Sequence, residues 1–148
     1  MPTGTTADPT RVLLLDTSTA IALLVEDHES HRAALAATRG RQLGLAGHAW
    51  FETYSVLTRL PSGLRRAPAD ALRLLAANFP ATSFLGARET AALGRELARL
   101  GIAGGSVYDA LVGAAAREHQ RPLLSGDLRA RSTYEALGVQ LEILSRPK

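Results

Sequence analysis

A chain of 148 residues with 46% apolar content has the size and hydrophobicity of one globular domain with a sizeable core. It contains no cysteine, which excludes a disulfide framework, a thiolate zinc site and a cysteine nucleophile and fits a reducing compartment. The formal charge of +3 is modest, and 16 of the 17 basic residues are arginine, a side chain suited to phosphates whose abundance equally fits the Ala- and Leu-rich usage of a GC-rich genome.

The first ten residues, MPTGTTADPT, carry no basic leader and read as a flexible segment ahead of a single domain over 11–148. The apolar runs at 12–15 and 21–25 are too short to span a bilayer, so the expected location is the cytoplasm, without a membrane partner. VLLLD at 12–16 is a short, continuously apolar run ending in an acid, the pattern of a buried parallel strand. TSTAIALLVED then looks helical, and a second helix is expected over 30–38, closed by a turn at Gly40. QLGLA at 42–46 reads as the second strand, and GHAWFETYSVLTRL as a helix to about Leu60, stopped by Pro61 and Gly63. Another helix follows Pro68, a short strand is expected over 82–85, and a long helix over 87–100 leads into a loop at 101–105. SVYDALVGAAAREH reads as a helix, RPLLS as the fourth strand, 132–138 as a short helix and VQLEI as the last strand.

Strands alternating with helices imply parallel βαβ units with right-handed crossovers, and therefore an α/β sandwich with helices on both faces of the sheet. Ligands in such sheets bind beyond the carboxyl ends of the strands, which draws attention to four acids. Asp16 ends the first strand, Asp127 lies two residues past Ser125 at the end of the fourth, Glu52 sits in the helix after the second, and Asp109 opens the helix before the fourth.

Each acid has an ordinary structural explanation. Asp16 and Asp127 are placed to cap short helices. Glu52 shares a helical face with His48, Ser55 and Arg59, as a solvated polar stripe would. Asp109 fits such an explanation least well, because Val112, Gly113 and Ala116 on its side and Val107, Leu111 and Ala114 opposite are all apolar or small. A carboxylate buried there would protonate or need a cation, although the helix dipole also favours an early-turn acid.

LLLDTSTAIALL, the glutamate of WFETYSVLTRL, GGSVYDALVGAAAREH and LLSGDLRARSTYEALGVQLEIL together resemble a PIN-domain ribonuclease, and in particular the toxin subunits of bacterial VapBC toxin–antitoxin modules. The resemblance runs from Val12 to Leu144 and is least distinctive between Pro61 and Arg99. It implies a PIN-like three-layer sandwich on a parallel sheet of about five strands, with Asp16, Glu52, Asp109 and Asp127 around a pocket for Mg²⁺ or Mn²⁺. Ser18 and Ser125 match supporting hydroxyl positions, whereas a further acid that some relatives carry is replaced by Leu128, Arg129 and Ala130, leaving one or two metal ions open.

The implied activity is endonucleolytic hydrolysis of RNA by a metal-activated water, leaving a 5′-phosphate and a 3′-hydroxyl. Asp16, Asp109 and Asp127 would serve mainly as metal ligands, and Glu52 as a ligand or as the group orienting the water. The implied partners are a small antitoxin and a second copy of the chain. The other reading is a non-catalytic RNA-binding or regulatory domain of the same fold, against which the presence of all four acids counts.

Basic residues are needed around an acidic pocket that meets RNA, and Arg129, Arg131 and Arg59 are the candidates. The pairs Arg65 with Arg66 and Arg95 with Arg99 read as solvated helix faces. His28, His31, His48 and His119 form no HExxH or other tight cluster and read as surface or capping groups. DTSTA after an apolar strand also suggests an aspartate-nucleophile phosphotransferase, but Ser18 stands where that motif has its second aspartate.

Overall fold

Four short strands in this chain pair side by side in one parallel sheet, in the order β2-β1-β3-β4. The computed structural model describes residues 11–145, so the expected flexible segment at 1–10 and the last three residues of the expected domain lie outside the described residues. The strands are β1 (Val12–Leu15), β2 (Gln42–Leu45), β3 (Leu123–Ser125) and β4 (Leu141–Ile143). Helices α1 (Thr17–Leu24) and α2 (His31–Thr38) join β1 to β2. The long return to β3 carries α3 (Ala49–Thr58), α4 (Pro68–Asn78), α5 (Ala87–Leu100) and α6 (Ser106–Glu118), and α7 (Arg131–Ala136) leads to β4.

The chain moves outward from β1 to β2 and then returns to the other side of β1, so the direction of winding reverses between β1 and β3. A crevice at the carboxyl ends of two such strands is the usual binding place of an open parallel sheet.

Helices cover both faces, which is why β1 is continuously apolar instead of alternating. Leu13 and Leu15 enter a core with Ala20, Ala34, Leu57 and Leu75, contributed by α1 to α4. Leu14 points the other way, into a core with Val112, Ala116 and Tyr134 from α6 and α7. A third cluster, Leu93 with Ala110, Ala114 and Leu137, fastens α5 against α6 and the end of α7. At the end of α5, Gly101 takes a φ of 69°, and its N–H returns to the carbonyls of Leu97 and Ala98. This left-handed closure suits glycine.

The sheet has four strands rather than the expected five, because the segment over 82–85 makes only a single parallel bridge, Ser83 with Ala46. The side chains of that segment compete for the ladder. Thr82 Oγ1 takes the Leu45 N–H at 3.0 Å, while the Ala81 carbonyl accepts from Ser83 Oγ at 2.9 Å and from Arg121 Nη1 at 3.2 Å. The segment still lies hard against β2. A Cβ added at Gly44 would overlap the Ala81 carbonyl and sit 2.5 Å from the Thr82 nitrogen.

Those obstructing atoms are backbone, so neither side can yield by changing rotamer. Gly44→Ala is expected to lower stability by about 1–3 kcal/mol, the range for overpacking. The check is the urea midpoint; a wild-type midpoint would show that the 81–83 segment moves freely away from β2.

Candidate active site

The backbone turns that end β1 and β3 place two carboxylates at the crevice. Asp16 follows β1 directly and is the N-cap of α1: its Oδ1 accepts the Thr19 N–H at 3.2 Å and the Ser18 hydroxyl at 2.6 Å. Its Oδ2 accepts the Tyr134 hydroxyl at 3.1 Å, and the residue is 4% exposed. Thr19 Oγ1 donates to the Leu124 carbonyl at 2.9 Å, which ties the start of α1 to β3. Asp127 lies in the turn after β3, where its N–H donates to Ser125 Oγ at 3.1 Å and its Oδ1 accepts the Arg129 N–H at 3.0 Å.

Two further acids arrive on helix N-termini. Glu52 sits in the first turn of α3, with Oε2 accepting from Thr17 Oγ1 at 3.3 Å and Oε1 lying 3.5 Å from His48 Nε2. Asp109 sits, half-buried, in the first turn of α6. The amino ends of α1, α3 and α6 thus face the same place, and each favours negative charge there. Asp16, Glu52, Asp109 and Asp127 line one small cavity of about 40 Å³ together with Thr17, Ser18 and Tyr134.

The crowding is visible in the acidities. Burial raises Asp16, and the Ser125 and Ser18 hydroxyls, the Thr19 amide and Tyr134 only partly offset it. Asp109 is pushed up from its ordinary 3.8 to about 6, first by burial and then by the negative charge of Asp127, Glu52 and Asp16, with Arg129 opposing. Tyr134 is raised as well, by burial and by Asp16, so its hydroxyl keeps its proton and serves as a donor.

The donor set is all carboxylate and hydroxyl oxygen, the chemistry of a hard divalent cation. Among the described residues, no three His, Asp or Glu side chains close into a ready-made ligand cage. This is an open pocket in which water or substrate oxygens would complete a coordination shell, as Mg²⁺ commonly requires.

All four sequence-expected acids meet at this cavity, and both serines support it: Ser18 bonds to Asp16 and accepts the Gly126 N–H at 3.1 Å, while Ser125 holds the Asp127 turn. Asp16 is also the helix cap that its sequence suggested, so the two explanations of it coexist. Of the three arginines, only Arg129 borders the site; it is 94% exposed, with Nε 3.5 Å from Asp127 Oδ1. Arg131 pairs with Glu135 at 2.8 Å, and Arg59 follows the far end of α3 from Glu52.

Several contributors were not legible beforehand. Thr17 and Thr19, bonded to Glu52 and to β3, had a signal in the hydroxyl-rich DTSTA. Tyr134, 118 residues from the acid it touches, had none. It fits because α6 carries Gly113, where a Cβ would come within 2.9 Å of the Tyr134 ring. His48, read as a surface or capping group, walls a cavity of about 630 Å³ with Tyr108, Glu52, Asp109, Asp127 and Arg129. The other histidines bond locally: His28 with Ser30, His31 with the Ala22 carbonyl and His119 with the Phe84 carbonyl.

Comparison with known proteins gives concordant results. The PIN domain family profile matches residues 13–136. The chain is 52% identical over 131 residues to Ribonuclease VapC27 of Mycobacterium tuberculosis (strain ATCC 25618 / H37Rv), covering 88% of this chain and 96% of that one. It is 42% identical over 132 residues to Ribonuclease VapC40 of Mycobacterium tuberculosis (strain CDC 1551 / Oshkosh), covering 88% and 97%. Among solved structures, it resembles VapBC2 from Rickettsia felis bound to a promoter DNA fragment, with a TM-score of 0.64 and 14% identity over 90% of this chain and 99% of that one. FitAB bound to an IR36 DNA fragment gives 0.63 and 15% over 92% and 97%, so the fold is shared at low identity.

The raised Asp109 carboxyl has a measurable consequence. A carboxyl whose pKa lies higher in the folded chain binds its proton more tightly there, so stability is lost as pH rises from about 3.8 to about 6 and stays lost above. Without divalent cations, Asp109→Asn should therefore raise the melting temperature above pH 6 and give no gain near pH 4. With solvent screening allowed for, the gain is of order 1 kcal/mol, or about 2–4 °C. Thermal melts in EDTA across that range check it, and a lower melting temperature at pH 7 would contradict the crowding.

Proposed function

The chain belongs to the PIN-domain family, and from that premise we propose that it is a divalent-metal-dependent endoribonuclease that acts as the toxin of a type II toxin–antitoxin module. The observation that carries this reading is the convergence of Asp16, Glu52, Asp109 and Asp127 on one cavity at the winding reversal of the sheet. It is reinforced by relatives at 52% and 42% identity that are named as ribonucleases.

Asp16, Asp109 and Asp127 would hold Mg²⁺ or Mn²⁺, with Glu52 as a further ligand or as the group that orients the attacking water. Such an ion neutralises the phosphate and lowers the pKa of an attacking water. The chain's own residues set the frame for that chemistry. Asp16 is locked in orientation by the Thr19 amide, Ser18 and Tyr134, so its carboxylate cannot swing away when the pocket's charge changes. Glu52 is held on one side by Thr17 and lies beside His48 on the other, which leaves its carboxylate at the cavity wall to orient a water and accept its proton. Asp109 is raised by burial and by the negative charge of Asp127, Glu52 and Asp16, so its ionisation depends on the other three acids and a bound cation would relieve it. Arg129 is placed to receive the substrate phosphate, since its contact with Asp127 is exposed and weakly held.

The structural neighbours are toxin–antitoxin complexes, and the corresponding partner here is a small antitoxin, with a second copy of this chain completing the assembly. None of the described helices is long and apolar enough to cross a membrane, which is compatible with a cytoplasmic site of action. A short open reading frame immediately upstream would supply the antitoxin.

Asp109→Asn is expected to reduce Mg²⁺- or Mn²⁺-dependent RNA cleavage by about 10²-fold or more, the scale of losing one key group of a preorganised site. The circular dichroism spectrum should remain native, and EDTA should reproduce the loss in the unaltered protein. Cleavage by the variant at the wild-type rate would remove Asp109 from the site, and RNA binding without metal-dependent cleavage would identify a binding domain instead.

A further inference from the structure

The large cavity beside the acids has one wall that the hydrolytic chemistry does not use. His48, at the start of α3, and Tyr108, in the first turn of α6, stack on each other with ring centroids 5.3 Å apart and planes inclined by 26°. Tyr108 remains 54% exposed. Both rings are carried by the helices that carry the acids: Tyr108 adjoins Asp109, and His48 lies one turn before Glu52. The ring pair is therefore fixed in register with the acidic pocket. Gly105 and Ser106 line the same cavity and bring no bulk into it.

We propose that the His48–Tyr108 pair is a nucleobase-stacking subsite that positions single-stranded RNA beside the acidic cavity; this rests on the nuclease reading above. A flat aromatic wall next to Asp109, Asp127 and Arg129 matches the two halves of a nucleotide, a π-faced base and an anionic phosphate brought to carboxylates through a cation. An apolar protein surface would satisfy only the rings and would bring no phosphate to the carboxylates.

A second cavity, of about 470 Å³, lies across Asp127 and Arg129, which border both spaces. Ile21, Val56 and Leu144 form its apolar side. Asp127 and Arg129 thus stand between two cavities, and a strand laid across them would extend to both sides and be cut internally. Bases in a duplex already stack on one another and offer no free face, which makes single strands the preferred form.

Tyr108 is the ring to test, because the His48 side chain also contacts a site acid, with Nε2 3.5 Å from Glu52 Oε1. The full chain, Tyr108→Ala and Tyr108→Phe would be compared on a mixed-sequence single-stranded RNA, with the same RNA annealed to its complement as a control, in Mg²⁺ or Mn²⁺. Each protein's melting temperature and mass by light scattering would be recorded. Tyr108→Ala is expected to lower kcat/KM on the single strand about tenfold, chiefly through KM, as the loss of one stacked base predicts. Mapped cleavage sites should lose their nucleotide preference at one position beside the cut, and Tyr108→Phe should restore both properties. Wild-type KM and an unchanged cleavage pattern in a folded Tyr108→Ala protein would overturn the subsite. The same result with an altered mass would assign the ring to a contact between copies and overturn it equally. If the unaltered chain cuts no RNA, the nuclease reading itself falls, and the subsite with it.

Discussion

A carboxylate held almost entirely out of water at the end of the central strand is the constraint from which the site's architecture follows. Asp16 is 4% exposed, and among the described residues the groups that donate to its carboxylate are neutral: the Thr19 amide and the hydroxyls of Ser18, Thr19 and Tyr134. Burying such a group is costly unless donors surround it. Here the donors come from opposite layers of the sandwich. α1 supplies the capping amide from one face, and α7 supplies the Tyr134 hydroxyl from the other, across a helix thinned by Gly113 to let the ring through. The packing of both layers is therefore coupled to the orientation of one side chain.

The same constraint assembles the remaining acids. Asp16 accepts its fixed position through a backbone bond to Leu124 at 3.3 Å and the Thr19 bond to the same carbonyl, so β3 cannot slide without disturbing α1. β3 in turn delivers Asp127 through a turn held by Ser125. Glu52 and Asp109 then approach on the amino ends of α3 and α6, where the helix dipole offsets part of their repulsion. It does not offset all of it, as the raised Asp109 shows. A cluster whose charges repel one another, yet which a strand end, a turn and two helix starts hold together, is characteristic of a site kept for chemistry.

The sequence made the frame legible because its signals are local. A continuous apolar run ending in Asp16 requires a strand covered on both faces, and caps or breakers at Gly40, Pro68 and Gly101 mark helix boundaries that the fold respects. The segment over 82–85 misled for a physical reason: it has a strand's composition and lies beside β2, but Thr82, Ser83 and Arg121 divert its hydrogen bonds. The acids were visible one at a time: Asp16, Asp127 and Glu52 each had an adequate role as a cap or a surface charge, and only Asp109, among apolar neighbours, fitted such a role poorly. Their convergence was carried by family resemblance, since no spacing rule links residue 16 to residue 109. Tyr134 and the cavity-lining role of His48 depend on helix crossings and on the room left by Gly113 and Gly105, which no local pattern encodes.

The arginines show how little composition says about position. Arg41 is committed to Glu142 across the sheet, Arg117 to Glu96 between α6 and α5, and Arg131 to Glu135 within α7. The first two pairs tie separate elements together, the third lies within one helix, and none of these arginines lines the acidic cavity. Arg129 differs because the turn after β3 leaves it almost wholly in solvent beside Asp127, in a contact that water screens to little net value. A guanidinium so placed moderates the pocket's negative charge without being bound into it, and Arg129 is the group that opposes the rise of Asp109. An anion approaching the cavity from solvent therefore meets a cation whose existing partner it can displace at small cost. What sets Arg129 apart is that it follows Asp127 in a tight turn, so the residue that crowds the pocket with charge also fixes where its counterweight stands.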